Sequence, residues 1–189
     1  MRADVHNSNS GKFGDMDSPV LRDWRQEVLR QSDDTDTSIT LTVAQSGALM
    51  LYDEDEAYAI TLPAITAGDI GVNYTFMETI ASNNDRTIDT AYDNDYYVGS
   101  LVVLPSAVWA SGTAQDGLAA NIVANSGNDV QITFDDNLAN GAGGVGSIVK
   151  LTAVVTGNVA SSGGAKLVWA LSGQMFTADP NSDGTAIFN

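Results

Sequence analysis

The chain has no cysteine, one histidine, four prolines and only eight basic residues among its 189. Without thiols it can form no disulfide framework, thiolate metal site or cysteine nucleophile. His6 is its single imidazole, so the usual nucleophile–base triads cannot be assembled within one chain. Lys12, Lys150 and Lys166 are its only lysines, which leaves few candidates for Schiff-base chemistry. Long apolar runs are missing too. The run Ile148–Val155 is broken by Lys150 and Thr152, and no stretch is long enough to span a bilayer. Residues 1–9 are polar, so Sec-type export is not expected.

What is present is acid, unevenly distributed. The net charge is -16. Residues 1–32 hold five basic and five acidic side chains, residues 33–149 hold seventeen acids and only Arg86, and residues 150–189 hold two of each. The sequence therefore reads as a balanced arm followed by an acidic body. An acidic body repels phosphate backbones, which argues against nucleic-acid binding. Most of this charge reads as a solvated surface, with complementarity to a basic partner as the functional alternative.

Three parts are expected: an N-terminal arm over 1–36, a β-sandwich body over 37–178 and a C-terminal tail over 179–189. Met1–Asp17 is rich in Asn, Ser, Gly and Asp without periodicity and reads as extended arm. Ser18-Pro19 is an N-cap and first-turn pair that opens a helix over about 18–31. Leu21, Trp24 and Val28 form its apolar stripe, and Arg22, Gln26 and Arg30 a second row. So short a helix cannot bury its stripe on itself, so it docks on its own domain or on a neighbour. Beyond Thr37 the period changes to two. Strands are expected at Ser38–Val43, Ala48–Tyr52, Tyr58–Leu62, Val72–Ile80, Thr87–Thr90, Tyr96–Leu104, Ala107–Ala110, Asn121–Ala124, Val130–Phe134, Ser147–Thr156 and Lys166–Phe176. Tyr58, Ile60 and Leu62 alternate with Ala59 and Thr61, as a half-buried antiparallel strand requires. Such spacing reads as a β-sandwich, most naturally a jelly roll. No exact internal repeat stands out.

No catalytic constellation emerges. The acid groups Asp53–Glu56, Asp93 with Asp95, and Asp135 with Asp136 all fall in expected turns, where acids serve solubility and turn geometry. Asp179–Gly184 matches the first half of a calcium loop but lacks the later glutamate, so it reads as polar tail. No metal site or cofactor is implied, and the chain is not expected to be an enzyme. Trp109 and Trp169 read as core or sheet-face residues.

The strand and turn order is ITLTVAQSG (Ile39–Gly47), a strand ending TLP (Thr61–Pro63), AGDIGVNYTF (Ala67–Phe76), GSIVKLTAVVTG (Gly146–Gly157) and KLVWALSG (Lys166–Gly173). Over roughly Ile39 to Gly173 this order resembles the decoration (cement) and head-fibre proteins of tailed bacteriophages. The resemblance implies a jelly-roll or related β-sandwich, a homotrimer on the outer capsid surface of the virion, assembled in the host cytoplasm and clamping neighbouring major capsid protein subunits, without membrane contact. On that reading Leu21, Trp24 and Val28 supply apolar anchorage, and Arg22, Arg25 and Arg30 meet acidic capsid groups. The same punctuation occurs in tail-fibre and adhesin modules. The alternative is therefore a host-binding module that recognises carbohydrate through Asp53–Ala57 and through Tyr92, Tyr96 and Tyr97 beside Asp93 and Asp95.

Overall fold

The computed structural model describes residues 26–82, 84–92, 96–105, 121–124, 129–135, 142–155, 166–177 and 187–188. These residues form two sheets and, among them, no α-helix, only short 3-10 turns. The strands are β1 (Val28–Arg30), β2 (Ser38–Thr40), β3 (Leu49–Tyr52), β4 (Tyr58–Thr61), β5 (Asn73–Glu78), β6 (Arg86–Asp89), β7 (Tyr97–Pro105), β8 (Asn121–Ala124), β9 (Gln131–Phe134), β10 (Gly144–Val155) and β11 (Leu167–Thr177). The larger sheet runs β1-β3-β5-β10-β11-β7-β8 and the smaller β2-β4-β6-β9. The all-β expectation and ten of the eleven expected strands therefore have counterparts. The eleventh, Ala107–Ala110, lies outside the described residues, as does Trp109.

The first six strands alternate strictly between the sheets, odd ones in the larger and even ones in the smaller, and every neighbouring pair among them is parallel. The chain thus winds as a flattened coil, each turn laying one rung on each sheet. The antiparallel pairing expected for β4 is therefore corrected: it lies parallel to both β2 and β6. Its alternating burial is as expected, because a parallel strand with one solvated face obeys the same period of two. A jelly roll is an antiparallel architecture, and the coil differs from it over β1–β6. Antiparallel pairing begins later. β9 closes the smaller sheet against β6, and the β10–β11 hairpin fills the larger sheet antiparallel to β5, with β11 lying parallel to β7.

The coil reveals a repeat. In the smaller sheet Ile39, Ile60, Ile88 and Ile132 stack in register, each flanked by outward polar or small residues. At the following corner Thr42–Gly47 and Thr66–Gly71 adopt one motif. The backbone N–H of Thr42 donates to Gln45 Oε1 at 2.9 Å, and that of Thr66 to Asp69 Oδ2 at 2.8 Å. Gly47 and Gly71 then turn the chain at φ 90° and 95°. Glycine reaches this region without steric cost. Unequal coil lengths conceal the repeat in the sequence: Val28 lies beside Leu49, but Leu49 lies beside Thr75.

The core lies between the sheets. Tyr74 packs on Trp169 with ring centroids 5.8 Å apart, and Tyr52 on Phe134 at 5.3 Å. The hydroxyls of Tyr52 and Tyr97 cross to the smaller sheet and donate to the carbonyls of Thr87 and Ile88. Arg86, facing inward from β6, meets Glu78 of β5 at 2.8 Å with both side chains fully enclosed.

Two boundaries move. Of the helix expected over 18–31, residues 18–25 lie outside the described residues, and its C-terminal end is not helical: Val28–Arg30 is strand and Gln31–Asp33 a 3-10 turn. Sheet pairing overrides the helical stripe here. β3 offers an edge, the Leu49 N–H donates to the Glu27 carbonyl at 2.8 Å, and Leu29 packs against the core. The folded unit therefore begins before residue 37. At the other end Ile187 is buried, and its carbonyl accepts from the Thr133 N–H at 2.8 Å. Ile187 thus contributes to the body, while 179–186 of the expected tail lie outside the described residues.

Candidate partner-binding surfaces

β1 and β2 are the terminal strands of the two sheets, so the N-terminal end of the coil exposes the gap between them. A cavity of about 210 Å³ opens there. Leu29, Ile39 and Met50 supply its apolar lining, and Arg30, Asp33 and Asp34 its polar lining, with Val28 beside them. Val28 is 47% exposed and points away from Leu29 across the strand, so the residue expected on a helical stripe stands on the outer face of the larger sheet. Leu21, Arg22, Trp24 and Arg25 lie outside the described residues.

Arg30 is engaged within the chain. Its Nη1 lies 3.1 Å from Asp53 Oδ2, and Ser32 donates to the same carboxylate from its N–H and its hydroxyl, each at 2.9 Å. On the same rim Asp34 accepts from the Tyr58 hydroxyl at 2.7 Å and from the Asp36 N–H at 3.0 Å. These donors, the Asp36 N–H foremost, lower the Asp34 carboxyl below its ordinary value. Burial raises the Tyr58 phenol far above its own.

The acid-rich turn at residues 53–56 is structural. Besides Asp53, the Glu54 carbonyl accepts from Arg86 Nη2, Asp55 accepts from Asn84 Nδ2, and the Glu56 carbonyl accepts from the buried Gln31. One turn therefore ties β1, β3 and β6 together. The tyrosine group proposed for sugar stacking is dispersed. Tyr97 is fully buried, Tyr96 lies beneath Lys166 Nζ at 4.9 Å, and Tyr92 alone of the three is exposed, at 62%. Asp93 and Asp95 fall outside the described residues. Two acids the sequence did not pair do meet: Asp85 and Asp135, at adjoining ends of β6 and β9, hydrogen-bond through their carboxyls, and this raises the Asp85 value.

A second surface is the outer face of the larger sheet. In one register row stand Leu51, Met77, Ile148, Gln174 and Val102, and in the next Leu49, Thr75, Lys150 and Ser172. The sequence carried a signal for this face. Leu49–Tyr52 is apolar at successive positions, and β10 has Ile and Val at outward ones, whereas a strand with a wholly solvated back alternates.

No protein-family model matches the chain, and no curated protein matches its sequence.

Proposed function

We propose that this chain is a structural assembly protein, a decoration (cement) protein of a tailed-bacteriophage capsid. Its β-body sits on the outer shell as a homotrimer, and its N-terminal segment ties adjacent major capsid protein subunits. The division of charge carries this reading: the segment through Arg30 is neutral and holds five of the eight cations, while the rest of the chain holds the whole net charge of -16. Two such parts suit two different surfaces. The segment joins the body at β1, a terminal strand beside an open apolar cavity. Leu21 and Trp24 supply the apolar anchor, and Arg22 and Arg25 the positive charge. Arg30 contributes less, since Asp53 already neutralises it.

Co-sedimentation with empty shells tests this. Removing residues 1–25 retains β1 and should leave a folded body that no longer pellets with shells. In the full chain Trp24→Ala should weaken binding roughly 30-fold, as truncating a buried aromatic anchor costs about 2 kcal/mol or more. Undiminished shell binding by the truncated protein overturns the proposal, as does oligosaccharide binding by the body without affinity for shells.

A further inference from the structure

We infer that the outer face of the larger sheet is where copies of this chain meet one another. Among its described residues this face carries no acid, although the chain has 24. Asn73, Thr75 and Met77 point outward from β5, while Glu78 points inward to Arg86. The charges on the face are Arg30, paired with Asp53 at its margin, and Lys150 near its centre. Leu49, Leu51, Met77 and Ile148 form a partly covered apolar group on β3, β5 and β10; Val102 follows on β7 beyond the exposed Gln174, and Val28 and Val98 are exposed at 47% and 44%.

The missing acids identify the occupant. A basic partner would be drawn by carboxylates, so a face built for one gains by keeping them. Two copies of a chain at -16 must instead meet where neither contributes negative charge. Six strands about 4.8 Å apart and three outward rows give a flat footprint of roughly 300 Å². Stable complexes bury about 800 Å² per partner, so this contact is concentration-dependent and would be reinforced where a shell holds copies side by side. The inference rests on the assembly reading and specifies the chain's contact with itself.

Sedimentation of the full chain from about 1 µM to about 1 mM, the range in which so small a contact populates, should show association. Salt should tighten that association several-fold, because it screens the repulsion between acidic bodies. Met77→Glu or Ile148→Glu should abolish association, and Thr87→Glu on the smaller sheet should leave it unchanged. As the chain lacks cysteine, Thr75→Cys introduces a unique thiol on the face. Its maleimide reaction should slow as concentration rises, whereas a Thr87→Cys control should not, which keeps the test decisive if the glutamate variants misfold. A chain monomeric throughout, association weakened by salt, or Thr75→Cys protected in dilute monomer (the chain then covering this face itself) each overturns the inference. Shell binding is measured separately, so self-association without shell affinity would fail the assembly reading alone.

Discussion

At the scale of single residues, the enclosed Arg86–Glu78 pair is the largest electrostatic commitment in the core. It bridges the sheets at 2.8 Å, and the guanidinium lies 5.8 Å from the centre of the Tyr52 ring and also donates to the Glu54 carbonyl. Removing one member leaves the other charge buried without its counter-ion. Arg86→Met should therefore cost about 3–5 kcal/mol, seen as a lower denaturant midpoint with unchanged slope. The double variant Glu78→Met with Arg86→Met should cost less than Arg86→Met alone. Asp85 tests the opposite sign. Its carboxyl is raised above its ordinary 3.8, first by the hydrogen bond with Asp135 and then by desolvation. The folded chain thus holds that proton more tightly than the unfolded chain. The resulting stability is fully present below 3.8 and is lost as pH rises through the raised folded value. At neutral pH the pair repels, so Asp85→Asn should stabilise by about 0.5 kcal/mol at this exposed position, and the gain should vanish near pH 3. Thermal melts at both pH values check this.

At the scale of elements, the corners give the coil its shape. Asp69 lies beside the Thr66 N–H and hydroxyl, and these hydrogen bonds, the hydroxyl's first, hold its carboxyl below the ordinary value. Asp69→Ala should destabilise the fold, as loss of a capping box does, and chemical denaturation should register it as a lower midpoint. The paired corners also explain what the sequence concealed. Thr42–Gly47 and Thr66–Gly71 share threonine, a polar residue three later and glycine five later. The repeat was legible as turn chemistry but not as a period, because the loops between rungs differ in length. Val28–Arg30 failed as helix for a related reason. Leu21, Trp24 and Val28 satisfy a helical stripe, while Val28, Leu29 and Arg30 alternate across a strand equally well, and only the free edge of β3 decides between them.

At the scale of the whole molecule, the two sheets share one enclosed core, and Glu78 stands inside it against Arg86. The Asp53 carboxylate, read from sequence as a solvated turn acid, instead fastens β1 to the end of β3. Composition and alternation alone determined that this is an all-β chain with an acidic body, and they located ten of its strands. These properties depend on which side chains tolerate burial, a local matter written into every second residue. Strand direction, sheet order, the buried Arg86–Glu78 bridge and the lack of acid among the described residues of the outer face were decided only by tertiary structure. Parallel and antiparallel rungs impose the same period of two, and which strands become neighbours depends on loop closures that no local pattern records.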